Sequence, residues 1–191
     1  MPPLDGKLPA HKEPSSVVLL LIDVINDLDF DGADALLRQA LPMAKRLASL
    51  KREATRLQVP VVYVNDNFGR WKSDFRHTVE HCCTGSSRGA EISRMLRPAE
   101  SDYFVLKPKH SGFYATTLDP LLKYLQADKL IFTSIAANIC VIFTANDAYM
   151  RDCTLFVPPD CVASNSVADT EYSLRQINNV LKGGYSAEYG P

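Results

Sequence analysis

Short apolar runs alternate with amphipathic stretches along most of this chain, and that alternation leaves few folds open. The runs at 17–22, 59–64, 103–106, 129–134 and 154–157 are aliphatic, aromatic and β-branched, and each has the length of a buried strand. Between them, Met43, Leu47, Leu50, Ala54 and Leu57 recur in steps of four and three, which predicts an amphipathic helix from Pro42 to Leu57 with the proline in its first turn. Leu118, Leu121, Leu122 and Leu125 predict a short helix capped by Thr117. Further helices are expected from Val141 to Met150 and from Val167 to Leu181. The polar stretch 65–102, with Gly69, Gly85 and Gly89, reads as a loop with one or two short helices. Strands and helices alternating at this spacing imply an α/β fold: a three-layer α/β/α, Rossmann-like domain with a mostly parallel sheet covered on both faces.

Residues 1–15 carry Pro2, Pro3, Pro9 and Pro14 among charges and read as an extended N-terminal arm. Residues 16–191 are long enough for one domain with its own core. A net charge of −1 supplies no basic stripe for phosphates, so no nucleic-acid partner is expected. The longest strongly apolar run, Val17 to Ile22, is too short to cross a bilayer, so no membrane partner is expected either. No signal-like apolar segment opens the sequence, which suggests a cytoplasmic protein. The five cysteines, Cys82, Cys83, Cys140, Cys153 and Cys161, form an odd, irregular set that reads as reduced thiols. Neither glycine-rich phosphate-binding signature occurs, which argues against a nucleotide site.

Parallel sheets of this kind bind ligands beyond the carboxyl ends of their strands. The residues found there are Asp23 after the first strand, Asn65 and Asp66 after the second, Lys107 after the third, and Ser134 to Cys140 after the fourth. A carboxylate at the lip of a buried strand is costly unless it is paired, hydrogen-bonded or functional. Cys140 falls where a strand hands over to the first turn of a helix. Free N–H groups and the macrodipole there favour a thiolate and could hold an oxyanion. Position alone also fits a cysteine that serves as small apolar filler.

The company of Cys140 is more specific. Asp23-Val-Ile-Asn-Asp27, Lys107 with Ser111 and Phe113, and Ser134-Ile-Ala-Ala-Asn-Ile-Cys140-Val141 together resemble the isochorismatase-like cysteine hydrolases, which include nicotinamidases and N-carbamoylsarcosine amidohydrolase. Asp147-Ala148 and Asp160-Cys161-Val162-Ala163 are further echoes, and the resemblance runs from about Val17 to Ala163. It implies an Asp23–Lys107–Cys140 triad and a cis peptide at Ile135–Ala136. It also implies an oxyanion hole from the backbone N–H groups of Ala136 and Cys140. The implied chemistry is hydrolysis of a carbon–nitrogen bond in a small amide, carbamoyl or ureido compound through a thioester. A true isochorismatase lacks the nucleophilic cysteine.

Nicotinamidases hold a metal with an Asp-x-His and a further histidine after their second strand. Here that region reads Asp66-Asn67-Phe68, so neither a metal nor another cofactor is expected. Substrate contacts are instead expected from Asn65, Asn67, Arg70 and Trp71, with Arg70 pairing a carboxylate and Trp71 covering a planar face. His77 and His81 beside Cys82 and Cys83 read as a surface helix rather than a zinc site. The partners implied are a small-molecule substrate and further copies of the chain in a homo-oligomer. A redox-sensing or ligand-binding member of the same fold is the alternative.

Overall fold

The computed structural model describes residues 16–69 and 74–184 of the chain. The expected N-terminal arm, and the expected substrate contacts Arg70 and Trp71, lie outside the described residues. Six parallel strands are described: β1 (Val17–Ile22), β2 (Val61–Asp66), β3 (Tyr103–Lys107), β4 (Lys129–Ile135), β5 (Thr154–Phe156) and β6 (Val162–Ala163). Their order is β3-β2-β1-β4-β5, with β6 pairing the far end of β4. The chain winds outward from β1 through β2 to β3, then starts again at β4 on the other side of β1. The crevice between the ends of β1 and β4 is therefore the point where the winding reverses, the usual ligand position in such sheets.

Successive residues of a strand face opposite sides, and both sides of β1 are covered, which is why its sequence is apolar throughout. Val18, Leu20 and Ile22 pack towards α4 (Leu118–Leu125), α5 (Ile142–Tyr149) and α6 (Val167–Asn179). Leu19 and Leu21 pack towards α1 (Ala33–Arg56), α2 (Phe75–Thr84) and α3 (Ala90–Met95). The result is the three-layer α/β/α arrangement that the sequence implied.

Several boundaries differ from the sequence reading, each for a local reason. The first helix begins at Ala33 instead of Pro42, so Pro42 sits inside it. Ala33, Leu36 and Ala40 extend the buried face upstream of the proline. The second strand runs from Val61 to Asp66 instead of 59–64, because Pro60 contributes only its carbonyl, to Leu19 N–H, while Asn65 and Asp66 pair in register with Leu106 and Lys107. Thr117 makes no side-chain cap for α4; the Thr116 hydroxyl accepts the Leu118 N–H instead, at 3.1 Å. The short helices in 65–102 are α2 and α3. The segment between β4 and α5 is a wide π turn, Ala137–Val141, a form often found at functional sites.

Candidate active site

Three strand ends converge on one ammonium group. Lys107, the last residue of β3, is fully buried, and its Nζ lies 2.8 Å from Asp23 Oδ2, 3.5 Å from Cys140 Sγ and 3.6 Å from Asp66 Oδ2. Sequence brings each group to this place in a different way. Asp23 follows β1 with a left-handed φ of 54°, a conformation that costs a non-glycine residue and turns its carboxylate across the sheet edge. Its Oδ1 accepts the Asp66 N–H at 2.7 Å, which ties the ends of β1 and β2 together. Asp66 and Lys107 are register partners on neighbouring parallel strands. Cys140 arrives on the π turn after β4, preceded by a cis peptide bond at Ile135–Ala136.

The surrounding polar groups hold these elements in place. The Asn65 amide is spent on Ile25, accepting its N–H at 3.2 Å and donating to its carbonyl at 2.9 Å. Asn65, expected to contact substrate, is fully buried and braces the loop after β1. The Asn67 side-chain Oδ1 accepts the Gly69 N–H at 2.9 Å and shapes the turn after β2. Thr144 donates to the Cys140 carbonyl at 2.6 Å and accepts the Gly112 N–H at 2.9 Å, so the Cys140 turn is coupled to the loop after β3. Ser111 in that loop donates to Asp147 of α5. No periodicity marked Asn65 or Thr144 as part of this frame, although Asn65 stands at a strand end.

Burial sets the electrostatics. It pushes the Asp23 carboxyl above its ordinary value, and the opposing pull of Lys107 does not cancel that rise. The Cys140 thiol is also pushed up, first by burial and then by the Asp23 carboxylate. The expected lowering of the thiol by the helix start is therefore outweighed. Burial opposes the Lys107 charge, but Asp23, Cys140 and Asp66 together keep the ammonium above its ordinary value. The resting arrangement is a thiol facing a carboxylate of raised basicity, with a permanent cation beside both.

Among the described residues the second-strand end lacks the donor set of a metal site. Asp66 Oδ1 accepts the Phe68 N–H at 2.6 Å, Asn67 is engaged in its turn, and Phe68 offers a ring with no donor atom. His81 of α2 instead pairs with Asp27 at 3.0 Å, while Cys82 and Cys83 are buried. Among the described residues no group of three histidine, cysteine or acidic side chains is arranged to hold an ion. A cavity of about 230 Å³ opens between these elements, lined by Asp27, Asp29, Phe68, Thr78 and His81. Among the described residues no helix is long and apolar enough to cross a membrane.

Known proteins share this fold. The family model for the isochorismatase domain matches residues 17–185. An uncharacterized isochorismatase family protein of Bacillus subtilis, YaaI, is 42% identical over 163 residues, covering 85% of this chain and 89% of that protein. Ureidoacrylate amidohydrolase RutB of Methylorubrum extorquens is 44% identical over 57 residues, 30% of this chain and 23% of that protein. Among solved structures, the pyrazinamidase/nicotinamidase of Streptococcus mutans superposes with a TM-score of 0.70 at 24% identity, covering 90% of this chain and 100% of that one. The N-carbamoylsarcosine amidase of Thermoplasma acidophilum gives 0.69 at 23% identity, covering 93% and 99%. The chain belongs to the isochorismatase family of hydrolases.

Proposed function

We propose that this hydrolase cleaves the carbon–nitrogen bond of a small amide, carbamoyl or ureido compound, with Cys140 as nucleophile, Asp23 as proton carrier and Lys107 as fixed cation. The observation that carries the reading is the placement of a single buried ammonium 2.8 Å from a carboxylate and 3.5 Å from a thiol. Asp23, made more basic by burial, takes the thiol proton as the sulfur attacks the carbonyl carbon. Lys107 balances the charge on sulfur while Asp23 is neutral. The oxyanion is received by the backbone N–H groups of Ala136 and Cys140, at a turn whose first donors lack intrahelical partners. Collapse breaks the carbon–nitrogen bond, and Asp23 returns its proton to the leaving nitrogen. Water then adds to the thioester, the acid is released and the thiol is restored.

The ureido and carbamoyl classes are favoured by two likenesses: the amidohydrolase named for ureidoacrylate and the amidase named for N-carbamoylsarcosine. A redox-sensing role is disfavoured, because such thiols are exposed and of low pKa whereas Cys140 is half-buried and pushed up. Ammonia or amine release from N-carbamoyl amino acids, ureido acids and nicotinamide, compared in wild type and Cys140→Ala, tests the proposal. Turnover that survives Cys140→Ala would defeat it. The proposal includes self-association in the cytoplasm; sedimentation showing only a species of 21.2 kDa would count against the first part.

A further inference from the structure

Asp66 is the carboxylate of this site that the reaction above leaves unused. Its side chain is 35% exposed, against 7% for Asp23 and 0% for Lys107, so it is the most accessible of the three charged groups. Its Oδ1 takes one backbone N–H, from Phe68, and its Oδ2 sits 3.6 Å from Lys107 Nζ, beyond hydrogen-bond distance. A carboxylate has about four acceptor positions, so among the described residues most of those on Asp66 carry no donor.

The span also fits. Lys107 Nζ is 3.5 Å from the Cys140 sulfur and 3.6 Å from Asp66 Oδ2, which caps the sulfur-to-carboxylate separation at about 7 Å. A carbonyl carbon poised for attack lies about 3–3.5 Å from sulfur. Its nitrogen lies about 1.3 Å further on, and an N–H···O contact adds about 2.9 Å. An amide or ureido group placed for attack therefore reaches from one to the other.

We infer that Asp66 is a substrate-binding residue that accepts an N–H from the nitrogen attached to the reacting carbonyl, and so selects amides and ureas over esters of the same shape. This rests on Cys140 being the nucleophile, and the test separates the two. The probes are 4-nitroacetanilide, which carries that N–H, and 4-nitrophenyl acetate, which does not. Acylation by each is followed through release of nitroaniline or nitrophenol in wild type, Asp66→Ala, Asp66→Asn and Cys140→Ala.

Loss of a charge-assisted hydrogen bond predicts an anilide rate lower by roughly tenfold or more in Asp66→Ala. The ester rate should fall by a clearly smaller factor, and an unchanged circular-dichroism spectrum reports that the variant is folded. Asp66→Asn, which keeps an oxygen acceptor without the charge, should fall between wild type and Asp66→Ala. Equal losses on both probes would make Asp66 structural, and no loss on either would remove it from the site. A wild type that takes the ester and refuses the anilide would also overturn the inference. Reaction of Cys140→Ala with both probes at the wild-type rate would instead sink the nucleophile assignment.

Discussion

Replacing Lys107 with methionine keeps an unbranched side chain of similar length in the core but removes the charge that balances Asp23. Both partners are shielded from water, with side-chain exposures of 0% and 7%, so solvent screening gives no large discount. Breaking a buried pair from one side leaves an uncompensated charge and costs about 3–5 kcal/mol. For a chain of this length each kcal/mol moves Tm by about 2–4 °C, so Tm should fall by about 6–20 °C. Without its cation, Asp23 binds a proton more tightly in the folded state than in the unfolded chain. Stability held by that proton is present below the ordinary carboxylate value of 3.8 and is lost as pH rises through the raised folded value. The deficit of Lys107→Met against wild type should therefore be larger at pH 8 than at pH 5. Urea denaturation followed by circular dichroism at both pH values measures it. Asp23→Asn/Lys107→Met, with both charges gone, should be more stable than Lys107→Met alone. A deficit below about 1 kcal/mol at pH 8, or one that does not change with pH, would refute the reasoning.

The base form of Asp23 is needed to take the thiol proton, and burial raises its carboxyl, so the acid limb of kcat/KM should lie above 3.8; a limb at or below that value would contradict the buried-base account. That limb belongs to the coupled Asp23–Cys140 pair. Lys107 is held above 10.5, so the lysine should cause no fall in activity below pH 10. Gly89 donates to the Asp27 carbonyl at 3.0 Å, and a Cβ there would sit 1.9 Å from the Asn26 oxygen. Gly89→Ala must push the turn after β1 away, at about 1–3 kcal/mol or more by denaturation. Asn65→Ala orphans the N–H and carbonyl of Ile25, a residue with no exposed surface, at about 1–3 kcal/mol for each group. Its thermal melt should drop.

Much of the sheet could be read from the chain because its strands are covered on both faces and must be apolar throughout. The rule that ligands sit at strand ends then pointed to Asp23, Asp66, Lys107 and Cys140, which the fold brings around one ammonium. What the pattern hid is local. A proline looks like a helix start, yet α1 carries Pro42 in its interior because the apolar face continues upstream. Thr116 and Thr117 are equivalent by composition, and only the turn geometry decides which hydroxyl caps α4. Asn65 looked like a polar group offered to a ligand, but a two-residue shift of β2 places it under the loop of Ile25. A helix start favours an acidic thiol, but desolvation and the facing carboxylate push Cys140 the other way.

The central claim is covalent: the acyl part of the substrate passes through the Cys140 sulfur. Acid quenching of wild type during turnover of whichever screened amide or ureido compound it hydrolyses, followed by mass spectrometry of the Cys140 peptide, tests this most directly. The account predicts an adduct of the acyl mass on Cys140, absent in Asp23→Asn, where no carboxylate takes the thiol proton. Sustained turnover with an unmodified Cys140 peptide, and undiminished activity in Cys140→Ala, would contradict it.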